Sequence, residues 1–142
     1  MTSLDDCRLI QLPKISNPAG NITVGEGGNS IPFPVARVFY LYDVPGGESR
    51  GAHAHRTLQQ LIICAMGCFS VILDDGRQRK TVELNRAYYG LYVPPLIWGE
   101  EVQFSSGGIC LVLASQPYDE ADYIRDYDQF LIERQSHTGV TR

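Results

Sequence analysis

The chain has 142 residues, enough to bury a substantial core but too few for two ordinary domains. Twelve basic against sixteen acidic side chains give a formal charge of -4 at pH 7, which argues against nucleic acid or an anionic membrane as a partner, since both need clustered basic charge. No segment approaches the roughly 20 apolar residues of a membrane span. We therefore expect a cytoplasmic protein with a single domain over residues 1–142, of which residues 136–142 form a flexible tail.

The four cysteines, at positions 7, 64, 68 and 110, raise the alternative of a zinc site. Cys64 and Cys68 lie in an apolar stretch, however, and no second closely spaced pair accompanies them. Small buried thiols in a strand and turn are the better interpretation. The sequence therefore predicts no metal site at these cysteines.

Prolines and glycines are frequent in the first 34 residues and leave room only for short strands near residues 9–12 and 21–24. Residues 35–44 are rich in β-branched and aromatic side chains and predict a clear strand, which ends at Pro45-Gly46-Gly47. Arg37 lies inside this strand. A charged side chain there needs a partner or a ligand.

Short apolar strands separated by turn residues fill the middle of the chain. Asp74-Asp75-Gly76 is typical of a tight hairpin, because Asp-Gly tolerates positive φ. The run at residues 108–114 is apolar on both faces, which predicts a central strand. The other predicted strands cover residues 60–65, 69–73, 81–84, 90–98 with a break at Pro94 and Pro95, and 101–105.

The pattern changes near the C-terminus, where Ile124, Tyr127 and Leu131 recur at helical spacing. Acidic residues 119 and 120 precede this stretch and Arg134 lies near its end, as a helix dipole favours, so one short helix is predicted. The tyrosines at 118, 123 and 127 are expected to pack this helix on the rest of the domain or on a second subunit. Many short strands and one helix predict an all-β antiparallel barrel or sandwich.

His53 and His55 are the strongest candidates for chemistry, whereas His137 falls in the predicted tail and has no predicted role. In an extended segment, side chains two residues apart point to the same face, and Ala52 and Ala54 leave the other face with almost no bulk. Imidazole titrates near neutrality, so a pair can take a proton at one place and return it at another, as an isomerase does. The structural alternative is that the imidazoles only satisfy backbone groups at a strand end.

The histidines belong to a longer pattern, formed by Gly51, the His-x-His pair, glutamines at 59 and 60, Gly67 and the element Gly90-x-x-x-Pro94. This pattern resembles the two-motif signature of cupins, which implies a jelly-roll barrel of antiparallel strands. Metal-binding cupins supply a carboxylate after the two histidines and another histidine in the second motif. Here glutamines occupy the carboxylate region and residues 95–100 include no histidine, so we predict a cupin without a metal.

Several motifs in order resemble the sugar 3,4-ketoisomerases that act on dTDP-4-keto-6-deoxyglucose, over roughly residues 8–131. The motifs are Ile31-Pro-Phe, Arg37-Val-Phe-Tyr, Arg50-Gly-x-His-x-His, Val71-Ile-Leu-Asp-Asp-Gly, Gly90-Leu-Tyr-Val and Tyr118-Asp-Glu-x-Asp-Tyr-Ile-Arg-x-Tyr-Asp. The resemblance implies an isomerase without a cofactor, which moves the carbonyl of a dTDP-linked 4-keto-6-deoxyhexose from C4 to C3. It also implies a homodimer with strands exchanged between the subunits.

By this resemblance, His53 and His55 are the proton-transferring pair, with the division of their roles left open. Gln60 would donate a hydrogen bond to the sugar or orient an imidazole. Arg37 and Arg50 are candidates for binding the diphosphate, because a guanidinium group meets phosphate oxygens in a fork. Each arginine alone is explained equally well by a surface ion pair.

Tyr92, Trp98 and Glu100 also match family positions, where an aromatic ring could stack on thymine or shield the sugar. The alternative is plain core for the two aromatic residues and a solvated carboxylate for Glu100. Ala19 and Gly99 stand where family members carry a larger residue and a basic or imidazole group. These two positions are predicted to bear on the configuration left at C4, gluco or galacto.

Two other functions stay open. A nucleotide-sugar epimerase acting at C3 or C5 would use the same enolate, and deuterium uptake from solvent would separate the two reactions. A non-catalytic cupin that only binds a sugar nucleotide is the other alternative, because the small Ala19 and Gly99 depart from the family pattern.

Overall fold

The computed structural model describes the backbone of residues 2–139 and the side chains of residues 2–136. Within these residues, twelve strands and one α-helix form two five-stranded sheets, a separate hairpin and a C-terminal helix. The elements are β1 (Arg8–Gln11), β2 (Lys14–Asn17), β3 (Gly20–Thr23), β4 (Arg37–Leu41), β5 (Arg50–His55), β6 (Gln60–Met66), β7 (Phe69–Asp74), β8 (Arg79–Leu84), β9 (Tyr89–Val93), β10 (Trp98–Val102), β11 (Ile109–Ala114), β12 (Tyr123–Ile124) and α1 (Tyr127–Gly139). The predicted all-β fold with one short C-terminal helix is confirmed.

The two large sheets have the strand orders β1-β9-β6-β11-β4 and β12-β5-β10-β7-β8. Apart from β7 and β8, neighbouring strands are not consecutive in the chain, which is the connectivity expected of a jelly roll. β11 pairs with β6 on one side and β4 on the other. Its prediction as a central strand is therefore confirmed.

Three apolar clusters follow from the alternation of side chains along these strands. The largest lies between the two sheets and includes Phe69, Val71, Leu73, Leu91 and Val93. A second cluster covers the outer face of the first sheet, and the third packs helix α1 on the outer face of the second sheet. The interior of the barrel is thus apolar over most of its length, and polar groups enter it only from particular strands.

The predicted start of the helix is wrong. Asp119 instead caps a 3-10 turn, Glu120–Asp122, by accepting a hydrogen bond from the Ala121 backbone N–H. Ile124 belongs to β12 and pairs with Ala54 of β5. Acidic residues favour the start of either kind of helix, so the same signal preceded the shorter one. Of the predicted tail, residues 140–142 and the side chain of His137 lie outside the described part of the chain.

The strand predictions needed two corrections. β2 had no counterpart in the sequence prediction, although β2 and β3 form a hairpin that is a sheet of its own. The predicted strands at residues 90–98 and 101–105 are instead β9 and β10, which Pro94 and Pro95 separate. This shift moves Gly99 and Glu101 onto one face of one strand.

Cys64 is buried, as expected for a structural thiol, and Cys68 is half-buried; both are free thiols. Across residues 2–136 the side chains of histidine, cysteine, aspartate and glutamate form no group of three or more that could hold a metal ion. In the part of the chain that the structure describes, no helix is long and apolar enough to cross a membrane.

Candidate active site

Both candidate histidines lie on β5, which runs between β12 and β10. His53 is opposite Gly99 of β10, and His55 is opposite Tyr123 of β12. The two imidazoles meet edge to face, with 4.9 Å between the ring centroids and 90° between the planes. Ala54, between them, points into the cluster beneath helix α1. The strand therefore presents both rings on one face.

A small cavity of about 20 Å³ opens beside His53, between the two sheets. Its polar side chains are those of His53, Gln60 and Glu101, and Gly51 and Gly99 leave space on the β5 and β10 walls. Gln60 comes from the first sheet and so faces the histidine wall of the second. The apolar lining residues are Ile62, Val71, Leu73 and Val93.

Tyr123 covers the histidine pair. Its ring centroid lies 4.3 Å from that of His55 and 5.0 Å from that of His53. His55 is only 3% exposed as a result. The expectation that Tyr123 packs the C-terminal helix is therefore wrong, because the pairing of β12 with β5 turns this ring onto the imidazoles.

Asp122 lies beside His55, with 3.6 Å between its Oδ2 and the imidazole Nδ1, which is too long for a hydrogen bond. The carboxylate is fixed by the backbone N–H of Thr57 at 2.9 Å, the Thr57 hydroxyl at 2.7 Å and the Leu58 N–H at 3.1 Å. Neither ring nitrogen of His55 has a hydrogen-bond partner within the described residues. Buried polar groups normally form hydrogen bonds, so a ring with two unpaired nitrogens is an exception that a role in chemistry would explain.

Burial lowers the pKa of both imidazoles to about 4. For His53 the next cause is the positive charge of Arg125, which the carboxylate of Glu120 opposes. For His55 the neighbouring His53 lowers the pKa further, and Asp122 raises it. Both rings are therefore neutral at pH 7, the state in which an imidazole can accept a proton.

Arg37 reaches the same region from β4 in the other sheet. Its guanidinium carbon lies 5.2 Å from the Phe39 ring centroid and 5.5 Å from that of Tyr118. Its charge lowers the pKa of His55, and its buried Nε has no hydrogen-bond partner among residues 2–136. Arg37 thus lies close to the histidines, with its buried Nε free to donate a hydrogen bond.

Glu101 and Arg50 are opposite each other in the pairing of β10 with β5. Arg50 is exposed, whereas Glu101 is buried and lines the cavity. Burial raises the pKa of the Glu101 carboxyl to about 8, a direction that its own backbone N–H and Arg50 oppose and Glu100 reinforces. The cavity therefore has a carboxyl group that is largely uncharged at pH 7.

Comparison with known proteins bears directly on this site. The WxcM-like, C-terminal family (FdtA) matches residues 5–135. The chain belongs to the WxcM-like family. A relative from Aneurinibacillus thermoaerophilus, named TDP-4-oxo-6-deoxy-alpha-D-glucose-3,4-oxoisomerase, is 44% identical over 123 residues, which cover 87% of this chain and 88% of the relative.

Two solved structures of the 3,4-ketoisomerase QdtA from Thermoanaerobacterium thermosaccharolyticum are also similar. One, in complex with TDP, has a TM-score of 0.92 and 39% identity and covers 95% of this chain and 98% of that one. The other is a histidine-to-asparagine mutant in complex with TDP-4-keto-6-deoxyglucose, with a TM-score of 0.89, 39% identity and coverage of 92% and 94%. These similarities establish the cupin-like isomerase fold of this WxcM-like protein.

Of the two positions predicted to bear on stereochemistry, this WxcM-like chain brings one to the cavity. A Cβ at Gly99 would come no closer than 4.0 Å to the Ile72 carbonyl oxygen and to Leu73, so a side chain there has room to enter beside His53. Ala19 is exposed in the turn of the β2–β3 hairpin. It is not among the cavity-lining residues of its own chain.

Tyr92 faces away from the cavity. It alternates with Val93, which lines the cavity, so its ring lies on the outer face of β9 near Phe33. Its hydroxyl donates a hydrogen bond to the Gln59 side-chain oxygen at 2.7 Å, and the Arg8 guanidinium carbon lies 4.9 Å from the ring centroid. Within a single subunit Tyr92 therefore has packing and hydrogen-bond partners outside the cavity.

Trp98 and Glu100 lie on the face of β10 opposite to Gly99 and Glu101. Trp98 is 8% exposed and packs against helix α1, with centroid distances of 5.3 Å to Tyr127 and 5.7 Å to Phe130. The structure thus gives Trp98 the plain-core environment, and neither side chain reaches the cavity of its own chain.

Three residues of the site went unpredicted from the sequence: Asp122, Tyr123 and Glu101. The first two belong to a motif that carried the family resemblance, but nothing in their spacing pointed to the histidines. Glu101 had a usable signal, because it follows Gly99 by two residues and the two share a face once the strand is taken to begin at residue 98.

Proposed function

We propose that this WxcM-like protein is a TDP-sugar 3,4-ketoisomerase, which converts TDP-4-keto-6-deoxyglucose to its 3-keto isomer with His53 and His55 transferring the protons. The observation that carries the proposal is a pair of neutral imidazoles with 4.9 Å between the ring centroids. His53 lines a cavity, and neither ring nitrogen of His55 has a hydrogen-bond partner within the described chain. The names of the relatives support the substrate class.

The reaction needs only proton transfers. One imidazole takes the hydrogen from C3 as the C4 oxygen gains a proton, which gives an enediol between C3 and C4. C4 then gains a hydrogen while the C3 hydroxyl loses its proton and becomes the carbonyl. No electron leaves the sugar, so no oxidant or reductant is consumed. With a second imidazole, protons can be transferred at both C3 and C4 while the sugar stays in one position.

Cations near the histidines would bind the diphosphate and lower the cost of charge on the enediol oxygens. Arg37 is our first candidate, because its buried Nε has no hydrogen-bond partner within residues 2–136. Arg50 is the second, at the exposed start of β5. Gln60, which lines the cavity, would bind a sugar hydroxyl or the imidazole of His53.

We also propose a homodimer with exchanged strands. The β2–β3 hairpin joins neither large sheet of the described chain, and its Ile15 and Ile22 are 54% and 57% exposed. On β4, Val38 and Tyr40 are 53% and 59% exposed. Covering such a surface with a second subunit would remove these apolar groups from water. The exchange would also carry Ala19 towards the other subunit's site, where it would bear with Gly99 on the C4 configuration.

The test is incubation of the pure protein with TDP-4-keto-6-deoxyglucose in deuterated water, followed by NMR. We expect the carbonyl to appear at C3 and hydrogen or deuterium at C4. A retained 4-keto group with deuterium at C3 or C5 would establish an epimerase instead. Binding of TDP without any change in the sugar would establish the non-catalytic alternative.

Matched variants assign the residues. His53→Asn and His55→Asn should each lower kcat by roughly 100-fold or more, with little loss of TDP affinity. Gln60→Ala should weaken turnover, whereas Gln59→Ala, one residue away on the opposite face, should not. Full activity in both histidine variants would refute the proposed mechanism while leaving the isomerase activity intact.

A further inference from the structure

Arg125 lies over the ring that covers the two histidines. Its guanidinium carbon is 4.4 Å from the Tyr123 ring centroid. Glu120 holds it there through two hydrogen bonds, from Arg125 Nε to Oε1 at 2.7 Å and from an Arg125 terminal nitrogen to Oε2 at 3.0 Å. The same carboxylate accepts a hydrogen bond from the Tyr118 hydroxyl at 2.5 Å. Arg125 therefore has a fixed position above the imidazoles.

Tyr118 connects this group to the arginine already assigned to the site. The Tyr118 ring lies 5.5 Å from the Arg37 guanidinium carbon and 5.6 Å from the Tyr123 ring. Arg37 and Arg125 both lower the pKa of His55, so each is near enough for its charge to act on that ring. Two guanidinium groups thus lie near the histidine pair.

An ordinary surface ion pair is the alternative. Arg125 and Glu120 have side chains 55% and 56% exposed, and such pairs contribute little to stability because water screens them. That exposure also means that an anion from solution can reach Arg125 without any rearrangement of the barrel. A doubly charged phosphate chain competes well for a guanidinium group that is shared with a single carboxylate.

We propose that Arg125 is a further diphosphate-binding residue of this site, held over Tyr123 by Glu120 until the phosphate oxygens of the substrate displace that carboxylate. The inference rests on the proposed function for the identity of the ligand. It gives Glu120 a defined part as well: the carboxylate keeps Arg125 in place in the free protein and competes with the ligand for it. Removing Glu120 and removing Arg125 must then change affinity in opposite directions.

The test is the dissociation constant for TDP, measured by calorimetry on the full chain at low and moderate salt. Loss of a charge-assisted contact in Arg125→Gln should raise Kd by about ten-fold or more. Arg125→Lys should recover part of the affinity, because the charge remains and the fork is lost. Glu120→Gln should lower Kd by about two- to five-fold at low salt, since the competing charge is gone.

Arg79 provides a matched control. It is 58% exposed, pairs with the Asp74 carboxylate at 2.7 Å and lies 5.7 Å from the Tyr127 ring centroid, so it repeats the arrangement beside helix α1. Arg79→Gln should leave TDP affinity unchanged. Equal effects of Arg79→Gln and Arg125→Gln, or unchanged affinity in Arg125→Gln, would overturn the inference. Because TDP binding is measured without turnover, a wild-type protein that binds TDP but does not isomerise the sugar would refute the proposed function alone.

Discussion

Tyr123 and His55 face each other in the antiparallel pairing of β12 with β5, and their ring centroids are 4.3 Å apart. The ring keeps water from the imidazole, whose pKa burial lowers to about 4. Tyr123→Ala should therefore raise the pKa of His55 towards its ordinary value near 6.5. Tyr123→Phe keeps the ring and should not. NMR titration of the histidine signals measures both variants, and equal pKa values in Tyr123→Ala and the wild type would show that the ring does not shield His55.

The pH dependence of kcat/KM should report both imidazoles. Because their pKa values are about 4, the bases stay neutral down to pH 5 and the acid limb should fall near pH 4. An acid limb near pH 6.5 would contradict the burial of the pair in the working enzyme.

The free energy of unfolding should also depend on pH through the titration of His53 and His55. In the unfolded chain each histidine binds its proton near pH 6.5, above its folded pKa of about 4, so stability is lost as pH falls from 6.5 to 4. The loss is on the order of 3 kcal/mol for each imidazole. Urea unfolding across this range, compared between the wild type and His55→Asn, should give a shallower dependence in the variant.

Glu101 should have the opposite dependence. Its folded pKa of about 8 exceeds the unfolded value of 4.5, so the folded state binds the proton more tightly and stability falls as pH rises from 4.5 to 8. Glu101→Gln removes this titration and should be more stable than the wild type at pH 8 by on the order of 3 kcal/mol, with a smaller difference at pH 5. Glu100→Gln, on the other face of β10, is the control: it removes only a neighbouring charge that raises the pKa of Glu101, so it should stabilise the protein at pH 8 by much less than Glu101→Gln.

Gly51 is required for two separate reasons. Its φ is +80°, and a Cβ there would overlap the Glu101 carboxyl group. Gly47 has a similar φ of +84° but open space around it. Gly47→Ala should therefore cost about 1 kcal/mol from backbone strain alone, and Gly51→Ala roughly 1–3 kcal/mol more. Equal losses in chemical denaturation would mean that the carboxyl moves aside freely.

Trp98 should matter for stability rather than for binding. It fills the cluster under helix α1 together with Leu96, Ile124 and Phe130. Trp98→Phe should lower the free energy of unfolding by about 1–3 kcal/mol, and truncation to alanine by about 3–5 kcal/mol. TDP affinity well below the melting temperature should stay the same in Trp98→Phe. A large loss of TDP affinity in Trp98→Phe would mean that Trp98 contacts the substrate.

The sequence by itself determined most of the strands, the common face of His53 and His55 and the family resemblance, because these depend on residues close together in the chain and on their order. Period-two alternation is a local property, so it states which residues share a face.

Only the tertiary structure decided which face of each strand turned inward and what came to lie against the histidines. On β9 and β10 both faces carry apolar or mixed side chains, so alternation alone did not separate Val93 from Tyr92 or Glu101 from Glu100. Asp122 accepts a hydrogen bond from the Thr57 backbone N–H, 65 residues away in the chain, and Tyr123 reaches His55 through strand pairing. Contacts of this kind form because the barrel closes, and closure depends on the packing of the whole chain rather than on any local pattern.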